Sequence, residues 1–141
     1  MIQTPSNYYL IFELCNCGDL QNYLSKQAPL NEFDAQKLVY QIGQAMRQLN
    51  LVDIIHRDIK PQNILLHRTA NGLVAKLADF GLAKYVDKIS DPDDPFIEQM
   101  QETVCGTLMY MAPEIYKRQY TSASDIWCCG LIFLELVIPY K

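Results

Sequence analysis

The stretch that decides the fold reads His56-Arg57-Asp58-Ile59-Lys60-Pro61-Gln62-Asn63. It places a carboxylate, an ammonium group and a carboxamide close together, between an amphipathic segment and an apolar one. Two further signals follow along the chain, Asp79-Phe80-Gly81 and then Ala112-Pro113-Glu114. A single polar stretch of this kind is as often a solvated loop as an active site. Three signals in this order favour a catalytic arrangement.

The composition is that of one globular domain. The chain has 141 residues, and half of them are hydrophobic, which is enough for a modest core. The net charge of −4 argues against a nucleic-acid-binding surface, and no cluster of Lys and Arg indicates a membrane surface. The longest apolar run, Ile126 to Leu134, is too short to predict a membrane span.

The cysteines and the N-terminus indicate the compartment. The five cysteines are odd in number and form neither a disulfide framework nor paired metal-ligand motifs. The first residues lack the basic and apolar pattern of a signal peptide. A reduced, cytoplasmic compartment is the expectation.

The N-terminal half reads as a strand followed by two helices. Tyr8 to Leu14 is rich in aromatic and aliphatic residues and is predicted to be a buried strand. A short helix is predicted from Leu20 to about Lys26, ahead of Pro29. Asp34 to Leu49 is the clearest amphipathic helix, with apolar residues at three- and four-residue spacing. Asn31 or Asp34 can cap it.

A β-hairpin is predicted directly after the opening stretch. Ile64–Leu66 and Leu73–Leu77 are short apolar strands on either side of the turn signal Ala70-Asn71-Gly72. The opening stretch leads into the first strand, and the turn at Asp79 follows the second. The hairpin therefore brings Asn63 and Asp79 near each other.

The C-terminal half combines an acidic segment with an apolar helix. Residues 85–102 carry six acidic residues and one lysine, and predict an exposed, mobile loop. Ser122 to Val137 is predicted to be a helix capped by Ser122 or Ser124, with Trp127 in the core. Because its middle is apolar on every side, this helix is expected inside a domain, with covering layers absent or supplied from elsewhere.

The three signals resemble the catalytic loop, the metal-binding turn and the end of the activation segment of protein kinases. The resemblance implies an α+β, protein-kinase-like fold that is incomplete. It would have a mainly α-helical large lobe with short β-ribbons and one small-lobe strand. Residues 1–141 would form part of a kinase domain. Residues 8–18 would hold the last small-lobe strand and the hinge, 19–141 part of the large lobe, and 79–114 the activation segment.

The resemblance implies ATP-dependent phosphorylation of Ser or Thr in protein substrates. Asp58 would orient the substrate hydroxyl as the base, and Lys60 would reach the γ-phosphate. Asn63 and Asp79 would be the oxygen ligands of Mg²⁺. Lys60 and the pair Gly106-Thr107 are typical of the serine/threonine class, and Thr107 would shape the substrate pocket.

The resemblance also implies a nucleotide-binding hinge. Phe12 would be the gatekeeper, and backbone groups of Glu13 and Cys15 would hydrogen-bond adenine. Asp19 would contact the ribose, and Leu65 would form an apolar floor. A junction of strand, loop and helix without any ligand is the alternative at these positions.

The resemblance further implies regulation through two cations. Arg57 and Lys84 would pair with a phosphate on Thr103, added by an upstream kinase or by the protein itself. An unmodified surface threonine is the alternative.

Several residues would have structural roles. His56 would pack beneath the turn that contains Phe80 and Gly81. Asp125 would accept hydrogen bonds from the backbone of the opening stretch. Glu114 would need an arginine partner that this sequence lacks.

Two function classes remain open, because the sequence contains no Gly-x-Gly-x-x-Gly and no Val-Ala-Ile-Lys strand. The first is an active serine/threonine kinase of which these residues are a segment, so that the 141 residues alone are expected to be inactive. The second is an inactive module that binds or regulates. A kinase of small-molecule alcohols is a weaker third option. Three stretches resemble the Unc-51-like kinases that initiate autophagy: residues 41–47, residues 54–66 and residues 109–114.

Overall fold

The computed structural model describes residues 1–27, 29–85, 107–117 and 120–138. Within them the helices are Leu20–Gln27 (α1), Glu32–Asn50 (α2) and Ser122–Val137 (α3). The strands are Ile2–Gln3 (β1), Tyr8–Tyr9 (β2), Ile54–Ile55 (β3), Ile64–Thr69 (β4), Gly72–Leu77 (β5) and Lys84–Tyr85 (β6). Short 3₁₀ helices occupy Pro61–Asn63, Thr107–Tyr110 and Pro113–Lys117. Thr103 and nearly all of the predicted acidic loop lie outside the described residues.

The strands form three separate antiparallel pairs, β1 with β2, β3 with β6, and β4 with β5. The expected mixture of helices and short β-ribbons is confirmed. No helix of the described residues has both the length and the apolar character needed to cross a membrane.

The long helix α2 confirms the amphipathic pattern. Its buried residues are Ala35, Leu38, Ile42 and Met46. It begins at Glu32, earlier than predicted, because the side chain of Asn31 accepts a hydrogen bond from the backbone N–H of Asp34 at 2.9 Å. Asn31 is therefore the cap, and Glu32 and Asp34 lie in the first turn, where negative charge is favourable.

The hairpin β4–β5 confirms the predicted turn. Its register runs from Ile64 opposite Leu77 to Thr69 opposite Gly72. Gly72 has a φ of +112°, which a residue with a side chain rarely adopts. At the open end of the hairpin, Ala78 N–H donates to Asn63 O at 2.8 Å. This bond brings the turn at Asp79 beside the end of the opening stretch.

The main core lies between the helices and the hairpin. α2 packs against both α3 and β5, and α1 packs beside the start of β4. The fully buried members of this core are Leu20, Ala35, Ile64, Leu66, Ile132 and Leu136. A second, smaller cluster of buried residues consists of Ile55, Met111, Ala112, Ile115 and Tyr120.

The predicted buried strand at residues 8–14 is wrong. Only Tyr8–Tyr9 is a strand, paired with β1, and the side chains from Tyr8 to Leu14 are exposed; Phe12 is 80% exposed. A strand becomes buried only where packed layers cover its faces. Among the described residues, β2 pairs with β1 alone, and β1 is itself exposed.

Two predictions about α3 are also wrong. Its cap is Thr121, whose hydroxyl accepts from Ala123 N–H at 3.2 Å; Ser122 and Ser124 lie inside the helix. Ser124 completes a capping box with Thr121. Trp127 is 47% exposed, because the buried stripe of α3 follows Cys128, Ile132 and Leu136 on another side of the helix.

Candidate active site

A buried carboxylate on α3 fixes the start of the loop His56–Asn63. Asp125 Oδ2 accepts the backbone N–H of His56 at 2.8 Å, and its Oδ1 accepts that of Arg57 at 3.0 Å. Arg57 has a φ of +68°, a strained conformation for a residue with a side chain. The two bonds to Asp125 therefore stabilise a backbone shape that the loop would not adopt by itself.

The charges around Asp125 are set by burial. Desolvation raises the pKa of Asp125, and the two backbone hydrogen bonds from His56 and Arg57 oppose that rise. Tyr120 donates its hydroxyl to Asp125 Oδ1 at 3.3 Å, and burial raises the pKa of Tyr120. Burial also raises the pKa of the Cys128 thiol to about 12, so this thiol stays protonated.

Asp58, Lys60 and Asn63 come together in one hydrogen-bonded group. Lys60 Nζ lies 2.7 Å from Asp58 Oδ2. Asn63 Nδ2 donates to the same Oδ2 at 2.8 Å and to Asp58 O at 2.8 Å. One oxygen of Asp58 is thus held by two partners.

The other oxygen of Asp58 is not held in this way. Asp58 Oδ1 is buried and accepts no hydrogen bond from the residues that the structure describes. A buried polar atom without a partner costs about 1–3 kcal/mol, so it requires an explanation, and a catalytic role is one. This oxygen has the capacity to accept a hydroxyl proton, once the groups that cover it move aside.

The hairpin brings Asn63 and Asp79 to the same edge of the molecule. Asn63 uses its nitrogen towards Asp58, which leaves its carboxamide oxygen for another partner. Asp79 has a φ of +59°, and its Oδ1 accepts Gly81 N–H at 3.2 Å. Within the described ranges, no group of three or more His, Cys, Asp or Glu is placed to hold a metal. Two oxygen donors fit Mg²⁺, because that ion takes its other ligands from water and phosphates.

His56 lies fully buried under the turn at residues 79–81. Its ring centroid is 5.0 Å from that of Phe80, and its Nε2 lies 3.0 Å from Ala78 O. Desolvation lowers the pKa of His56 despite the nearby carboxylates. A neutral ring with Nε2–H donating to Ala78 leaves Nδ1 to accept from Asp58 N–H, at 3.3 Å. His56 thus links the loop to the turn.

The predicted regulatory residues are only partly within the described chain. Arg57 is buried, and its Nε donates to Leu82 O at 2.7 Å. Lys84 lies opposite Ile55 in the pair of β3 and β6, one residue from His56. Thr103 is outside the described residues, so its contact with Arg57 and Lys84 stays a prediction.

The predicted hinge residues lie on an exposed segment. Lys76 Nζ approaches Glu13 Oε2 to 2.6 Å, whereas Phe12 is exposed and Cys15 is half-buried. Asp19 forms a β-bridge with Leu65, so these two lie together as expected for one site.

The carboxylate of Asp19 is occupied by α1. It accepts Asn22 N–H at 2.7 Å and Asn22 Nδ2 at 2.6 Å, which caps the helix. A ribose hydroxyl would share these oxygens with Asn22.

Glu114 has a partner that its sequence context did not indicate. Ser124 Oγ donates to Glu114 Oε1 at 2.8 Å. A similar bond joins Tyr110 Oη to Glu135 Oε1 at 2.6 Å. Thr107 begins the short helix Thr107–Tyr110, and its predicted side-chain role stays a prediction. Residue spacing alone did not predict Ser124 or Glu135 in these contacts.

A loop carboxylate, a lysine paired with it and two oxygen donors at a hairpin end are the kinds of group that phosphoryl transfer requires. A model of the protein kinase domain matches residues 1–141. The chain belongs to the protein kinase domain family.

The similar curated proteins are serine/threonine kinases. The chain is 43% identical to the serine/threonine-protein kinase unc-51 of Caenorhabditis elegans, over 94% of this chain and 15% of that protein. It is 41% identical to ULK1 of Homo sapiens, over 94% of this chain and 12% of that protein. It is 35% identical to atg1 of Dictyostelium discoideum, over 95% of this chain and 19% of that protein. The resemblance to the Unc-51-like serine/threonine kinases that the sequence indicated is confirmed. The chain spans less than a fifth of the length of each of these relatives.

Proposed function

We propose that the protein carrying this chain transfers the γ-phosphoryl group of ATP to Ser or Thr hydroxyls of protein substrates. The observation that carries the proposal is the state of Asp58. Its Oδ2 is held by Lys60 and Asn63, while its buried Oδ1 accepts no hydrogen bond from any described residue. That arrangement orients a carboxylate and leaves one oxygen for a substrate hydroxyl.

Each neighbouring residue has a role in the proposal. Asp58 orients the hydroxyl and accepts its proton. Lys60 pairs with Asp58 and adds positive charge beside the phosphate. Asn63 and Asp79 hold Mg²⁺, which neutralises phosphate charge when bound. The exposed backbone around Glu13 and Cys15 holds adenine.

The relatives suggest a biological setting. Similarity to unc-51, ULK1 and atg1 supports the proposal that the protein acts in the cytoplasm, on protein substrates, to initiate autophagy. Phosphorylation of Thr103, by an upstream kinase or by the protein itself, would provide a phosphate that pairs with Arg57 and Lys84.

A phosphate-transfer assay tests the enzymatic proposal. The full-length protein, supplied with ATP, Mg²⁺ and a generic Ser/Thr substrate, is expected to transfer phosphate. Asp58→Asn is expected to lower kcat by about a hundredfold or more, because proton acceptance is lost. Asp53→Asn, an exposed residue just before β3, is the matched control and should retain activity. Equal activity of Asp58→Asn and the parent would contradict the assignment.

The 141-residue chain assayed by itself is expected to show no transfer. Its sequence contains neither a glycine-rich phosphate loop nor the lysine strand typical of kinases, so it has fewer groups to hold the phosphates. The same feature favours the second candidate, a module that binds without catalysing. Full-length protein that binds ATP or a partner protein but never transfers phosphate would support that candidate. Asp58-dependent turnover by the short chain would contradict the expectation of inactivity.

The regulatory proposal has a separate test. Phosphosite mapping of active protein should find phosphate on Thr103, and Thr103→Ala should lower activity. Unmodified Thr103 in active protein, together with full activity of Thr103→Ala, would refute it.

A further inference from the structure

Asn16, which follows the predicted hinge residues Glu13 and Cys15, is one of the residues that attach this part of the chain to the hairpin. The carboxamide of Asn16 contacts both backbone groups of Arg68 on β4. Arg68 N–H donates to Asn16 Oδ1 at 2.8 Å, and Asn16 Nδ2 lies 3.4 Å from Arg68 O. The side chain thereby forms the two-bond pairing that one strand residue forms with another.

The backbone of Asn16 makes a third contact with β4. Its N–H points at His67 Nδ1 at 3.4 Å. From there the chain continues along the free edge of β4: Cys17 N–H donates to Leu66 O at 3.0 Å, and Leu66 N–H donates to Gly18 O at 2.8 Å. The bridge between Asp19 and Leu65 ends this edge. Residues 16–19 therefore lie along the edge of β4, joined to it by backbone hydrogen bonds and an isolated bridge.

Asn16 stands at the boundary of this docked segment. On its N-terminal side, the side chains from Leu10 to Leu14 are exposed, and the backbone of these residues forms neither helix nor strand. On its C-terminal side, Gly18 has a φ of +70° and directs the chain into α1. Cys15 precedes Asn16 directly, so the peptide group between them is oriented by the contacts of Asn16.

We propose that Asn16 is a positioning residue for the nucleotide: its carboxamide pairs with the Arg68 backbone and so orients the Cys15 backbone that adenine would contact. The proposal rests on the proposed kinase function and adds to it a residue that does not itself touch ATP. The hydrogen bonds that join Asn63 to Asp58 lie within the loop His56–Asn63 and do not involve Asn16, so we expect the chemical step to be independent of Asn16. The loss of Asn16 should act on nucleotide binding alone.

Steady-state kinetics of the full-length protein test the consequence. Asn16→Ala is expected to raise KM for ATP by about five- to tenfold with kcat little changed, as expected for two lost hydrogen bonds that act on binding. Asn16→Asp keeps the oxygen that accepts from Arg68 N–H at 2.8 Å and should restore most of the affinity. Gln44→Ala, an exposed amide on α2, is the matched control and should match the parent.

Hydrogen–deuterium exchange without nucleotide tests the attachment separately. Asn16→Ala should speed exchange of the amides of residues 15–18 and of Arg68, and leave the middle of α2 unchanged. Unchanged exchange in Asn16→Ala would overturn the attachment, and faster exchange with an unchanged KM would overturn the positioning role. A parent protein that neither binds nor consumes ATP would contradict the proposed function, and that result appears before any variant is compared.

Discussion

Asp125 shows how much one buried residue contributes to the loop. It is 5% exposed, lies on α3, and accepts from two consecutive backbone N–H groups at the start of the loop His56–Asn63. Those N–H groups face the interior, where an unpaired donor is costly. The strained backbone conformation of Arg57 also requires these hydrogen bonds, because it persists only where fixed partners hold it.

Replacing Asp125 should therefore destabilise the fold. Asp125→Ala is expected to lower the free energy of unfolding by about 3 kcal/mol, since two buried donors lose their acceptor. Chemical denaturation measures the change. Asp125→Asn retains one acceptor and should cost less. A loss as small as that of an exposed control such as Asp53→Asn would contradict the role given to Asp125.

His56 predicts the direction of a pH effect. Its pKa is lowered from 6.5 in the folded protein by burial, so the unfolded chain binds the proton more readily. The stability due to neutral His56 is fully present above the unfolded pKa and is lost as pH falls through the folded one. The raised pKa of Asp125 has the opposite effect, because its contribution to stability increases as the pH falls.

A variant comparison isolates the histidine. Denaturation from about pH 7.5 to about pH 5.5 should show the parent losing more stability than His56→Phe, which keeps a ring against Phe80 but cannot take up a proton. Because Asp125 is present in both proteins, its main contribution cancels. Identical pH slopes in the two proteins would be the contrary result.

At the scale of elements, the hairpin β4–β5 organises the site. Its open end brings Asn63 beside Ala78 and hence close to Asp79. Its free edge receives residues 16–19. The ion pair of Lys76 and Glu13 adds a third link, although partly exposed pairs contribute at most about 1 kcal/mol. One two-stranded element thus holds the metal-binding and nucleotide-binding groups of the proposed enzyme.

The cap of α3 is a second property of an element. Thr121→Ala is expected to lower the free energy of unfolding by about 1 kcal/mol, because the N–H of Ala123 loses its acceptor. Ser122→Ala is the control next to it and should change stability little, since Ser122 is exposed inside the helix. Thermal or chemical denaturation compares the two. If Ser122→Ala lowered the free energy of unfolding more than Thr121→Ala does, the result would support Ser122 as the cap, as predicted from the sequence.

At the scale of the molecule, two apolar surfaces stand out among the described residues. One is the segment from Leu10 to Leu14. The other is the outer face of α3 together with the residue that follows it, defined by Ile126, Trp127, Leu134 and Ile138, which are 64%, 47%, 48% and 52% exposed. Contiguous apolar surfaces of this kind favour association in water.

The 141-residue chain by itself is therefore expected to self-associate. Sedimentation at increasing concentration should show species larger than the monomer. Ile126→Lys combined with Leu134→Lys should shift the distribution towards monomer, because charges interrupt the outer face of α3. Gln48→Lys, at an exposed position on α2, serves as the control and should leave the distribution of species unchanged. A parent chain that stays monomeric throughout the range would refute the prediction.

Much of the molecule was predictable because its signals are local. The opening stretch, the turn at Asp79 and the hairpin signal at Ala70-Asn71-Gly72 are read from neighbouring residues. The buried stripe of α2 follows from periodicity along one helix. These signals indicated the family and the adjacency of Asn63 and Asp79. The roles of individual residues in catalysis stay predictions.

The sequence by itself thus determined the family, the main helices and the hairpin, because periodicity, turn residues and short motifs act within a few residues. Only the tertiary structure decided which distant groups meet: Asp125 with the loop backbone, Asn16 with Arg68, and Ser124 with Glu114. It also showed that Tyr8 to Leu14 and Trp127 are exposed. Contacts across many residues have no sequence period, and burial depends on the layers that pack over a side chain rather than on its own hydrophobicity.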